Sequence, residues 1–175
     1  MLDHRGTPER PGRVVTLTQD DTAVTWGRAF EIAGTHEEQE QTLKYLEWRE
    51  KQYDIRERVD VHSPFALNAF QKDGDVTEYP HQSELLNHPD RVAVESCLVY
   101  IAGNDPTSNP NFLGPAPLDD VALQIATNSG PSGHNRDYLF GLAGAMREMG
   151  VNDKELFDLE LMVLQQIKVL GRIKP

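Results

Sequence analysis

The chain has 175 residues, a formal charge of −11 at neutral pH and a single cysteine, Cys97. That length suits one domain with a sizeable core. The acidity opposes phosphate backbones and anionic lipid as partners, because both are bound through clustered Lys and Arg, and a lone cysteine cannot form an intrachain disulfide.

No apolar run reaches the length of a membrane span and the opening MLDHRGTPERPGR has no apolar signal core, so the sequence reads as soluble and cytoplasmic. Asp3 to Gly12, with two prolines and two glycines, reads as turn and loop. Arg13 to Thr18, a turn at QDDT and Ala23 to Ile32 then read as a β-hairpin. Val24, Trp26, Phe30 and Ile32 share one face of its second strand, and Gly27 inside that run suggests a close backbone approach or a bulge.

Thr35 to Ile55 reads as a helix. Thr35 and Glu38 have the spacing of a capping box. Leu43, Leu46, Glu50 and Tyr53 recur at steps of three and four, which puts a carboxylate on the apolar stripe. Two readings of Glu50 compete on pattern alone. Burial would push the acid toward neutrality and fit it for general base work; alternatively it is a solvated helix-end residue among Glu47, Arg49 and Lys51.

Arg56 to His62 alternates as a half-exposed strand does. Residues 64–91 hold no sustained period and read as an irregular insertion. His62, His81 and His88 match no ligand spacing, so no metal is expected. Val92 to Gly103 is the strongest strand and a candidate central one, with Cys97 as a buried, inert thiol inside it. A long loop, Asn104 to Pro117, leads to a helix with Leu118, Val121, Ala122, Ile125 and Ala126 on its buried stripe and Gly130 as its stop. The GPSG turn then opens a helix carrying Leu139, Leu142, Ala143 and Met146, a weak candidate for an anion site. Tyr138 lies near that helix start, as a core-edge ring or as a hydroxyl facing a site. The final helix should bury Leu156, Leu159, Val163 and Leu170.

Taken together, DHRGTPERPGRVVTL, WGRAF, YLEWREKQY, LVYIAG, FLGPAPLDDVALQI and GPSGHNRDYLFGLA resemble the ChaC-type glutathione-specific γ-glutamylcyclotransferases, in family order and almost from end to end. The resemblance implies an α+β fold of the γ-glutamylcyclotransferase type, with a small mixed or antiparallel sheet or partial barrel and packed helices in one domain over residues 1–175. It implies Glu50 as the catalytic glutamate and Tyr138 as a substrate-binding residue. The family's opening strand and Tyr-Gly-Ser-Leu substrate loop have no counterpart in this chain, which therefore reads as an amino-terminally truncated member.

The activity so implied is cleavage of glutathione to 5-oxoproline and cysteinylglycine, by attack of the γ-glutamyl α-amine on its own γ-carbonyl with Glu50 as base and then acid. Glutathione is the implied partner. No cofactor, metal, nucleic acid, membrane or obligate protein partner is implied. The alternatives are a catalytically impaired binding protein, or a cyclotransferase for other γ-glutamyl peptides.

Overall fold

The structure, a computed structural model, describes residues 4–50, 53–63 and 92–173. The expected insertion at 64–91, with His81 and His88, lies outside these residues. Among the described residues the order is α1 (His36–Arg49), β1 (Ile55–His62), β2 (Val92–Ile101), α2 (Leu118–Thr127), β3 (Ser129–Gly130), β4 (Gly133–His134), α3 (Asn135–Glu148) and α4 (Lys154–Ile173). This is an α+β chain with small antiparallel sheets. It falls into two compact units, one built from both chain ends (Met1–Val15 and Leu113–Pro175) and one from Thr16–Phe112.

The first unit is organised by α2, α3 and α4. Ala122, Ile125 and Ala126 of α2, Leu139 and Ala143 of α3, and Leu156 and Val163 of α4 form its buried core. These are positions on the expected stripes, since steps of three and four repeat one face of a helix. Leu118 and Leu170 depart from that expectation: each stands at an outer end of its helix and is exposed. The stop of α2 also moves, from Gly130 to Asn128, whose extended backbone breaks the helix. Gly130 instead pairs with Gly133 in the β3–β4 hairpin. A Cβ on Gly130 would lie 2.4 Å from the Gly6 nitrogen, so only glycine lets the two backbones approach.

The chain start is tied to these helices by side chains. Asn135 Oδ1 accepts from the Arg13 N–H at 2.7 Å and its Nδ2 donates to the Arg13 carbonyl at 2.6 Å. Arg13 Nε donates to Gln124 Oε1 and its terminal nitrogen to the Gly114 carbonyl. This explains why the expected hairpin strand at Arg13 to Thr18 is not formed: side chains hold backbone groups that a ladder would need.

In the second unit the QDDT turn is present, with Asp20 Oδ1 accepting from the Thr22 N–H and hydroxyl. Ala23 to Ile32, however, joins no ladder among the described residues. Val24, Trp26 and Ile32 are half-buried while Phe30 is exposed, and the space beside Gly27 is open, against the expected close approach. The capping box of α1 is complete, with Thr35 Oγ1 accepting from the Glu38 N–H and Glu38 Oε2 accepting from the Thr35 N–H.

α1 ends earlier than the periodicity suggests, at Arg49 with Glu50 as its C-cap, and it buries none of its residues. Its sequence, HEEQEQTLKYLEWR, has too few apolar side chains to make a continuous face. β1 and β2 form an antiparallel pair that matches Ile55 with Ile101, Arg56 with Tyr100 and Val59 with Cys97. A register shift after Val59 coincides with Ser96 at φ 55°, a bulge held by Asp60 accepting from the Ser96 N–H. β1 is the partner of β2 among the described residues, so a central place for β2 is not seen there.

Candidate active site

Glu50 stands where α1 gives way to the sheet. Its N–H donates to the Leu46 carbonyl at 2.7 Å as the last helical bond, and its own carbonyl accepts from the Tyr53 N–H at 2.9 Å. The backbone thus turns at Glu50 and enters β1 two residues after Tyr53. The carboxylate does not have the fully buried setting that the helix stripe suggested: its side chain is 25% exposed, and Oε1 lies 3.3 Å from Nε of the adjacent Arg49. The helix ends at this residue, so Glu50 stands at a terminus, half-buried as Leu46 and Tyr53 are.

One turn earlier, Glu47 has a different setting. Arg56 of β1 donates Nε to both its oxygens, at 2.9 and 2.8 Å, and a terminal guanidinium nitrogen lies 2.6 Å from Oε2. The Tyr100 hydroxyl of β2 donates to Oε1 at 3.0 Å. The Arg56 hydrogen bonds hold the Glu47 carboxyl below its usual range. The Tyr100 phenol moves up, first because burial disfavours the phenolate and then because it donates to Glu47, with the Glu50 charge pushing the same way. Of the two glutamates, Glu47 is committed to an ionised bridge to Arg56, while the ion-pair contact of Glu50 is to its neighbour Arg49.

The strand ends beside this cluster are held by a second set of polar contacts. Asp54 Oδ1 accepts from the Gly103 N–H, and Asn109 Nδ2 donates to the Gly103 carbonyl, both at 2.7 Å. A Cβ on Gly103 would meet Asp54 Oδ2 at 2.8 Å, which ties the small residue to the carboxylate contact.

Tyr138, the other site residue expected from sequence, belongs to the unit built from the chain ends. Its hydroxyl oxygen accepts from the Val15 N–H at 3.3 Å, and the Arg5 guanidinium lies 5.8 Å over its ring. Burial pushes the phenol up, outweighing the Val15 hydrogen bond and the Arg5 charge, so it remains a protonated donor at neutral pH. It borders a cleft of about 180 Å³ whose other walls include Val15, Leu142, Leu156 and Leu159. The ring is therefore both a core-edge residue and a hydroxyl at a cleft wall. Glu50 and Tyr138 lie in different units.

The other sequence candidates carry less chemistry. The GPSG turn is a weaker anion site than expected, because the Ser132 N–H donates to the His4 carbonyl and the Asn135 N–H to the Asn128 carbonyl. Cys97 is half-buried, not fully buried. Among the described residues no group of three His, Cys, Asp or Glu side chains is arranged to hold a metal ion, and no helix is long and apolar enough to cross a membrane. Sequence reasoning missed the Glu47, Arg56 and Tyr100 cluster. Glu47 is one helical turn before Glu50, but the cross-strand pairing of Arg56 with Tyr100 becomes visible only when the strand register is known.

Comparison with known proteins agrees with this arrangement of elements. The model of the ChaC-like protein family matches residues 1–166. γ-Glutamylcyclotransferase 2-3 of Arabidopsis thaliana is 43% identical over 157 residues, covering 90% of this chain and 67% of the relative. Glutathione-specific γ-glutamylcyclotransferase 1 of Danio rerio is 40% identical over 167 residues, covering 94% of this chain and 71% of the relative. Among solved structures, the crystal structure of a yeast γ-glutamyl cyclotransferase specific to glutathione superposes with a TM-score of 0.59 at 25% identity, covering 94% of this chain and 80% of that one. With its family pattern running through both units and its fold shared with a yeast enzyme, this chain belongs to the ChaC-like protein family.

Proposed function

We propose that the chain is a glutathione-specific γ-glutamylcyclotransferase, a lyase that converts glutathione to 5-oxoproline and cysteinylglycine with Glu50 as its general base and acid. The observation that carries the activity is the family match over residues 1–166 together with relatives named γ-glutamylcyclotransferase, the Danio rerio one glutathione-specific. The unbroken match also supports treating both units as one family domain. A single cysteine suits a reducing compartment, and the reading places the reaction in the cytoplasm.

The reaction moves two protons from the α-nitrogen to the departing nitrogen. The substrate α-amine is an ammonium at neutral pH and cannot attack until it loses a proton. Glu50 takes that proton, the amine nitrogen adds to the γ-carbonyl carbon, and a five-membered ring closes. The tetrahedral intermediate then collapses as the bond from the γ-carbon to the cysteine nitrogen breaks. Glu50 gives that proton to the departing nitrogen, takes the second proton from the ring nitrogen to leave the lactam N–H, and passes it to the released amine of cysteinylglycine, which leaves as the ammonium. Water is not consumed. The position of Glu50 at a helix end supports this role, because a carboxylate there reaches solvent-borne substrate while its backbone is fixed by bonds to Leu46 and Tyr53. Tyr138 is proposed as a substrate-binding donor, supported by its protonated hydroxyl at the cleft wall.

Glu50→Gln preserves shape and removes the base, and a loss of about 10²–10⁴ in kcat is expected. Release of 5-oxoproline from glutathione by wild type and variant measures it, and equal rates would remove Glu50 from the mechanism. The same assay with γ-glutamyl-alanine tests specificity: comparable turnover of both substrates would replace the glutathione-specific reading with a broader one. Glutathione binding without turnover by the wild type would favour a non-catalytic relative.

A further inference from the structure

A general base must be held within a fraction of an ångström of its working position. Helix ends are the parts of helices that fray, because their last carbonyls have no partner in the next turn. Glu50 is such an end, on a helix that buries no residue. Apolar packing at the last turn of α1 is therefore slight, with Leu46 only half-buried, and the helical bond from Glu50 to Leu46 restrains only the backbone.

Polar contacts one turn earlier supply what packing does not. Glu47 is three residues before Glu50, a neighbour on the helix surface. Its two oxygens take hydrogen bonds from Arg56 and Tyr100. These two residues face each other across the β1–β2 ladder, and the guanidinium also lies 5.5 Å over the tyrosine ring. The link thus reaches both strands at one rung whose separation the backbone ladder sets. A planar guanidinium facing a carboxylate through paired N–H groups fixes orientation as well as distance. Arg56 also offsets the Glu47 charge, so two carboxylates one turn apart do not drive the helix end open.

We propose that Glu47, clamped by Arg56 and Tyr100, is a positioning residue for Glu50: it locks the last turn of α1 onto the β1–β2 pair and so holds the reacting carboxylate in place. The inference rests on Glu50 being the base. It assigns no substrate contact to Glu47, Arg56 or Tyr100, whose effect is transmitted through the helix end.

Steady-state kinetics with glutathione on Tyr100→Phe, Glu47→Gln and Glu50→Gln, alone and combined, tests it. Tyr100→Phe deletes one oxygen and keeps the ring under Arg56, and kcat should fall on the order of tenfold with KM nearly unchanged. Glu47→Gln should cost on the order of 10- to 100-fold in kcat. The Tyr100→Phe, Glu47→Gln double variant should be no slower than Glu47→Gln alone, because both break one link. In the Glu50→Gln background neither change should slow the residual reaction further. If Glu47→Gln does not fold, Tyr100→Phe alone carries the test.

Wild-type kcat in the Tyr100 and Glu47 variants, with Glu50→Gln inactive, would overturn the positioning role and leave the base intact. A raised KM with unchanged kcat would also overturn it, by assigning these residues to substrate binding. Full activity in Glu50→Gln would remove the base reading and this inference with it.

Discussion

Asn135 has no exposed surface, and its one amide answers both the N–H and the carbonyl of Arg13. A leucine there would fill similar space while leaving both backbone groups of Arg13 without that partner. Each unsatisfied group costs about 1–3 kcal/mol, so Asn135→Leu, which leaves two, should lower the urea midpoint by the equivalent of about 2–6 kcal/mol at unchanged slope. Asn135→Asp gives a finer test. Its carboxylate can accept from the Arg13 N–H but presents a second oxygen to a carbonyl, whereas its protonated form has an O–H to donate. Burial raises the pKa of such an acid. The folded value then exceeds the unfolded one, so the variant binds more protons when folded and regains stability relative to wild type as pH falls. Loss of that variant's deficit on acidification in urea titrations is the expected result; a constant deficit would mean that Arg13 finds other partners. Nothing in the sequence marks Asn135 for this task, because its partner is more than a hundred positions away and the contact is made to backbone, which leaves no residue-type signature.

At the scale of elements, local chemistry was legible and long-range pairing was not. The capping box at Thr35 and Glu38 and the stripes of α2 and α3 are properties of a few neighbouring residues and appear in the structure, Leu118 excepted, whereas β1 forms where the alternation puts it but with Val61 alone half-buried and its other residues exposed. The expected strand at Arg13 to Thr18 failed because its edge is taken by Asn135 and Tyr138 side chains. Likewise, periodicity selected Glu50 by extending a helix past its real end: the structure has it half-buried at the C-cap and not on a fully buried helical stripe. The residues around it are set by the Arg56 to Tyr100 register, which sequence spacing does not encode. A different legible feature, glycine inside a helix, gives a direct stability prediction. Gly141 is in the interior of α3, and a Cβ there would meet nothing within 4 Å. Gly141→Ala removes backbone freedom from the unfolded chain and should stabilise by about 0.5–1 kcal/mol, read as a higher thermal midpoint; a lowered midpoint would show that the helix surface is occupied there.

At the scale of the molecule, the two units are held by different physics, and their opening should differ accordingly. The unit of helices α2 to α4 has an apolar core from Ala122 to Val163, but it is assembled from chain ends separated by about a hundred residues. Closing such a loop costs on the order of 4 kcal/mol, from the logarithmic dependence on length. The return contacts of the chain start offset this: Ser132 and His4, Asn128 with Pro11 and Arg10, and Asn135 with Arg13. Gly130 lies among them against Gly6, where an added methyl would strike backbone atoms that have no flexible end to move. Gly130→Ala should therefore pry the chain start away and ease the opening of the whole helical core. In native-state hydrogen exchange the amides of Ala122, Ile125, Leu139, Ala143 and Val163 should exchange through one shared opening, and all should accelerate together in Gly130→Ala. The amides of α1, a helix with no buried residue, should open locally in the wild type and keep their rates in the variant. If α1 accelerates in step with the core, one cooperative transition spans both units, and the polar links around Glu47 are as much a part of the global fold as the helical core is.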